Sequence, residues 1–219
     1  MNRYEAAPGA KRRVKLERIL GVAGELFAAS DFQGVCMDRI AQLAGVGKGT
    51  LYNLFESKED LYFSIIHDRL GELLDLLERS YDRRKATLKN LRSLILHLHK
   101  FMSKHPHFYL LWKREENTLA RSDRLGIAVL YGRIEELVLR VLERGVEEGL
   151  LRPGLNHVLV AHLVLGMIDG LRKAPENVYR REEVLDELLE VLIKGIGVAG
   201  AEARVTYEQY QHVRGADER

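Results

Sequence analysis

The chain has 219 residues, 46% apolar and 30% charged, with a formal net charge of +2. Those proportions exclude a disordered or fibrous chain and leave room for one large packed domain or two small ones. Its single cysteine, Cys36, excludes an internal disulfide framework and a cysteine-cluster metal site.

No uncharged apolar stretch reaches the ~20 residues needed to span a bilayer. The first residues, MNRYEAAPGAKRRVK, lack the hydrophobic core of a secretory signal. The expectation is a cytoplasmic protein without a membrane partner. Charge is unevenly placed. Residues 1–18 carry six cations (Arg3, Lys11, Arg12, Arg13, Lys15, Arg18) against Glu5 and Glu17, a net of +4. A basic arm over 1–14 that leads into the first helix suits contact with nucleic-acid phosphates.

Only four prolines are present, and no run alternates apolar and polar residues as a half-buried strand would. The pattern predicts an all-α protein of about nine helices. The first runs from Val14 to Ala29, with Ile19, Ala23, Leu26 and Phe27 on one face. A turn at Ser30–Gly34 leads to a second helix, Met37 to Ala44, with Ile40, Leu43 and Ala44 pointing inward. Gly45 ends it, since only glycine takes a left-handed cap without steric cost. A third helix starts near Gly47 and buries Leu51 and Phe55. Ser57, with Asp60 three residues on, caps a fourth that reaches Tyr81 and buries Leu61, Ile65, Leu73 and Leu77.

After a charged break at 82–86, a fifth helix covers Thr87 to Lys104, and His105-Pro106 stops it. Residues 107–121 read as less regular. A long helix follows from Asp123 to Glu148, ended by Gly149 and Pro153-Gly154. Two nearly all-apolar helices, 156–173 and 181–198, complete the bundle, and 201–219 form a mixed-charge tail.

Two short helices joined by a glycine turn are the requirement of a helix-turn-helix, and Ile40–Val46 followed by Gly47–Asn53 meets it. The second of these helices offers short or polar residues at its N-terminal end, which lets a backbone approach base edges in the major groove. Residues 17–61, ERILGVAGELFAASDFQGVCMDRIAQLAGVGKGTLYNLFESKEDL, resemble the TetR family of bacterial transcriptional regulators at some twenty positions. AGVGKGTLYNLFESKEDL carries most of the likeness.

The resemblance implies an N-terminal helix-turn-helix DNA-binding domain (15–61) and a C-terminal helical ligand-binding and dimerisation bundle (62–200). It implies that Lys48, Gly49, Thr50 and Asn53 face the groove, and that Tyr52 and Lys58 contact backbone phosphate. The sequence departs from the family pattern at three points. Val35-Cys36 replace a hydroxyl residue that usually caps the second helix, Gly47 replaces Ser or Ala, and Leu54 replaces an aromatic residue or His. Cys36 is then expected to be a small packing residue.

The implied partners are a double-stranded operator, a second copy of the chain held through helices 156–173 and 181–198, and a small hydrophobic effector. Gly166-x-x-x-Gly170 would let backbones approach closely across the two-fold axis. Leu98, Phe101, Phe108, Trp112, Tyr131 and Ile134, together with Leu94, are the expected pocket lining, with Lys113, Arg114 and Arg121 near enough to suit an acyl-CoA. His97 and His99 diverge on a helix, and His105 and His107 flank a turn, so no metal or other cofactor is expected. No phosphate loop, nucleophile elbow or HExxH signature is present to suggest an enzyme. An architectural, nucleoid-associated DNA binder of the same fold, working without a ligand, is the alternative.

Overall fold

The computed structural model describes residues 10–119, 126–173 and 183–198. Among them are nine α-helices and no strand. These are α1 (Ala10–Ala29), α2 (Met37–Leu43), α3 (Lys48–Leu54), α4 (Lys58–Ser80), α5 (Thr87–Lys104), α6 (Pro106–Leu119), α7 (Ile127–Glu147), α8 (His157–Arg172) and α9 (Glu183–Ile196), with a short 3-10 turn at Phe32–Gly34. The all-α architecture with a helix-turn-helix near the N-terminus is as the sequence predicts. The described residues divide into two compact units, those within 1–74 and 102–132, and those within 75–101 and 133–219.

In the first unit α1 packs on α2 and α6, and α2 packs on α3. Its centre is built from Ile19, Leu20, Phe27, Ile40, Leu51, Phe55, Leu61 and Ile66, all at most 1% exposed. Their burial is the main stabilising term, at roughly 1.5–3 kcal/mol for each large apolar side chain removed from water. Phe27 stacks on Phe32, and Tyr62 stands edge-on to both, with centroids 5.0 Å and 5.4 Å away. This aromatic cluster ties the 3-10 turn to α1 and α4.

Three expectations about local structure are corrected here. Helix α1 begins at Ala10, so Lys11, Arg12 and Arg13 are helical. Residues 106–119 are a regular helix, because a proline at the first helical position needs no N–H and already has helical φ. The Tyr109 amide donates to the His105 carbonyl at 3.1 Å to close its first turn. Leu43 is 49% exposed. The inward face of α2 is Met37, Ile40, Ala41 and Ala44, spaced i, i+3, i+4, i+7, and Leu43 lies off it.

The second unit is built on α5, α7, α8, α9 and the last residues of α4. Leu91, Leu94, Ile95, Leu98 and Phe101 form the buried stripe of α5. Gly149, at φ +65°, ends α7. The Leu150 amide donates to the Gly145 carbonyl (2.9 Å) and the Gly149 amide to Val146 (3.0 Å), the paired bonds of a Schellman cap. The segment after α7 then forms an isolated antiparallel bridge, Leu151 with Gly197.

Asn156 caps α8 by accepting from the Leu159 amide at 3.0 Å. Arg92 of α5 makes a two-pronged ion pair with Asp186 of α9, at 2.7 Å and 3.4 Å. Asn90, fully buried, donates to the carbonyls of Asp82 and Lys85 and accepts from the Asp82 amide, which organises the charged break between α4 and α5.

Candidate nucleic-acid interface

The α2–α3 turn is fixed by backbone geometry. Gly45 sits at φ +59°, where a side chain would be strained. The Val46 amide donates to Ala41 at 3.0 Å and the Gly45 amide to Gln42 at 3.1 Å. That Schellman cap satisfies two carbonyls at the end of α2 and turns the chain into α3. Arg18 of α1 braces the outside of the turn by donating to the Gly45 carbonyl at 3.3 Å.

Helix α3 has one buried edge, with Leu51 and the following Phe55 at 0% and 1% exposure. On the other side Lys48, Gly49, Tyr52 and Asn53 are exposed and Thr50 is half-buried. The spacing i, i+1, i+4, i+5 puts the four exposed residues on one solvent-facing surface. Tyr52 is 52% exposed, so its ring is not a packing residue. The Lys48 ammonium lies 2.5 Å from Asp38 on α2, and this carboxylate raises the lysine's pKa by hydrogen bond and charge. The pair links the outer surfaces of the two helices.

The missing hydroxyl before α2 is visible in the geometry. Cys36 occupies the N-cap with extended backbone, and its side chain makes no capping hydrogen bond. Cys36 is exposed, so it is not the packing residue expected; the buried member of the pair is Val35. Lys58, expected to contact phosphate, faces the 32–35 turn. Its ammonium donates to the carbonyls of Phe32 (2.8 Å), Gln33 (3.2 Å) and Val35 (3.1 Å), and it stands 4.6 Å over the Phe32 ring. An ammonium has three donors, and all three are used. The Ser57 cap is as expected, with the Asp60 amide donating to Ser57 Oγ at 3.0 Å. The return bond goes from the Glu56 amide to Asp60 Oδ2, 2.9 Å.

Two side chains of α6 reach the same unit. The Arg114 guanidinium donates to the carbonyls of Phe27 (2.5 Å), Ala28 (3.0 Å) and Ser30 (3.3 Å), closing the C-terminal end of α1. Next to it, Glu115 accepts from the Tyr62 hydroxyl at 3.4 Å. Burial and the Glu115 charge push that phenol up to about 12.

This geometry is that of a helix-turn-helix with a polar reading face. A profile described as "Bacterial regulatory proteins, tetR family" matches residues 19–65. The chain belongs to the TetR family. It is a DNA-binding transcriptional regulator. Among TetR-type relatives it is 25% identical over 193 residues to a fatty acid metabolism regulator protein of Bacillus subtilis, covering 85% of this chain and 97% of that one. It is 29% identical over 168 residues to the nucleoid occlusion factor SlmA of Vibrio vulnificus, covering 74% and 84%. The fold matches the structure of the ketosteroid transcriptional regulator KstR2 of Mycobacterium tuberculosis with a TM-score of 0.70, at 23% identity and covering 88% and 98%.

Of the residues expected to line an effector pocket, Phe108, Trp112 and Tyr131 lie in the first unit, where the Trp112 and Tyr131 rings stack at 5.1 Å. Leu98, Phe101 and Ile134 are buried in the second. Arg114 is occupied by α1, and Arg121 lies outside the described residues. The second unit also holds a cleft of about 630 Å³ lined by Tyr81, three arginines (83, 140, 144) and three glutamates (143, 147, 148). It contains none of the expected apolar residues. Among the described residues no helix is long and apolar enough to cross a membrane.

Proposed function

We propose that this TetR-family regulator is a cytoplasmic homodimeric repressor that binds a palindromic operator and is released by a small hydrophobic effector, with an acyl-CoA as the first candidate. Lys48, Gly49, Thr50 and Asn53 meet base edges, and Tyr52 contacts phosphate. The observation that carries the dimer is the uncovered apolar surface of α8 and α9. Val158, Leu159, Leu163 and Val191 are 50–65% exposed. Gly166, Gly170 and Gly195 each face open space, with no atom within 4 Å of where a Cβ would stand. Large exposed aliphatics beside glycines suit close packing against a second copy, and a two-fold dimer places two reading helices on two half-sites.

The fatty-acid regulator among the relatives supports an acyl thioester, whose chain would be covered by apolar side chains of the bundle. Light scattering on Leu163→Asp and Val191→Asp tests the assembly: each should halve the native mass, and an unchanged mass would refute this interface. For the effector, a genome-wide binding map supplies the operator, and titration with acyl-CoAs should release it. The SlmA relative favours a second reading, a nucleoid-associated protein acting without an effector. Many scattered binding sites in the map would support it, whereas one palindrome beside a promoter supports the regulator.

A further inference from the structure

Exposed cations lie on α1, whereas the lysine at the start of α4 is engaged within the fold. Lys58 has every donor engaged by the carbonyls of residues 32, 33 and 35. Reaching a phosphate would require breaking those bonds and leaving three carbonyls without their donor. On α1, Lys11, Lys15 and Arg18 follow one another at i, i+4, i+7, which places them within an arc of about 60°. All three are exposed. Neither Lys11 nor Lys15 forms an ion pair with any described residue. The nearest acid on the helix, Glu17, lies about 100° away around the axis and is paired with Arg69 at 2.9 Å. Among the described residues, then, Lys11 and Lys15 present positive charge that no acid pairs.

The position of this Lys11–Lys15–Arg18 stripe relative to the reading helix is set by the packing of α1 on α2 and by one side-chain contact. Arg18 donates to Gly45, the residue that turns α2 into α3. This uses one of the five donors of a guanidinium and leaves the rest available. From there the stripe runs up α1 for about 10 Å to Lys11, which spans the rise of about three phosphates along one strand.

We infer that the Lys11–Lys15–Arg18 stripe of α1 is a contact surface for the duplex-DNA backbone, and that Lys58 is a positioning residue that clamps the 32–35 turn. This rests on the α2–α3 unit being the DNA-reading element. The stripe continues that element, its charge complements the backbone, and it carries no base information.

Because the contribution is independent of sequence, the test needs no operator. Binding of the native protein to a short mixed-sequence duplex is measured by fluorescence anisotropy between 50 and 200 mM salt, beside Lys11→Gln/Lys15→Gln and Lys58→Met. Loss of two phosphate contacts should make the slope of log affinity against log salt shallower by about 1.8. The advantage of the native protein over the double variant then shrinks about tenfold across that range. Lys58→Met should keep the native slope while melting at a lower temperature by circular dichroism.

A double variant with the native slope would overturn the stripe, and a Lys58→Met slope shallower by about 0.9 would overturn the clamp. If Lys58→Met does not fold, the clamp stands as a folding requirement, and the double variant alone decides the stripe, since its two positions are solvated. A native protein without salt-dependent duplex binding would instead overturn the reading on which the stripe rests.

Discussion

Replacing Arg114 with alanine should loosen the end of α1 without touching its core. The guanidinium answers three carbonyls in the last turn of α1 and just beyond, at 2.5, 3.0 and 3.3 Å. A helix end leaves such carbonyls without intrahelical donors and carries partial negative charge, so a cation there acts both as donor and as a charge opposite the dipole. Hydrogen bonds to charged groups contribute about 1.5–3 kcal/mol each when sheltered. Only the bond to Phe27 is part-buried, and the other two are exposed. Counting the first in full and the others at a few tenths gives about 2 kcal/mol.

For a chain of this length that corresponds to a fall of about 4–8 °C in melting temperature. Arg114→Lys should recover no more than half, because a compact ammonium cannot fork across three acceptors. Thermal melts followed by circular dichroism give the shift. Hydrogen exchange locates it: amides of the last turn of α1 should exchange faster while those around Leu20 stay protected. An Arg114→Ala protein melting within about 1 °C of the native one would refute the cap.

Three further outcomes follow from the same geometry. Gly45→Ala forces a side chain into the left-handed region at φ +59°; it should cost about 1–2 kcal/mol and weaken DNA binding, and a chemical melt that leaves stability unchanged would contradict the Schellman turn. Gly145→Ala would place a Cβ 2.7 Å from a Leu151 methyl and 3.2 Å from Thr87. Despite alanine's better helix propensity, urea titration should show it destabilised by about 1–2 kcal/mol. Burial lowers the pKa of His67, and that of His105 falls for the same main reason. The unfolded chain then holds more protons near neutrality, so stability declines as pH falls through about 6.5 and rises above it. The melting temperature should drop between pH 7.5 and 6, and His67→Gln should flatten that drop.

Much of the DNA-reading element was legible in the sequence because its signals are local. Gly45 between two short apolar-periodic segments can only be a left-handed turn, and Ile40, Leu51 and Phe55 fall on buried faces by periodicity alone. The exposure of Lys48, Gly49, Tyr52 and Asn53 follows from the same helical spacing. Pro106 was ambiguous by nature: a proline ends one helix and opens the next with equal ease, and only α6 packing on α1 makes the second role visible.

The partners of the long cationic side chains were beyond local reading. Lys58 meets carbonyls 23 to 26 residues away, Arg114 meets carbonyls 84 to 87 residues away, and Arg18 meets Gly45. A lysine at a helix start looks the same in sequence whether it faces solvent or three carbonyls. By itself, then, the sequence determined most of the helices, the glycine turn between α2 and α3, and which α3 side chains face solvent, since each depends on residues within two helical turns of one another. Which cations are consumed in holding the helix-turn-helix together is set by contacts across the fold, and only the tertiary structure decided it.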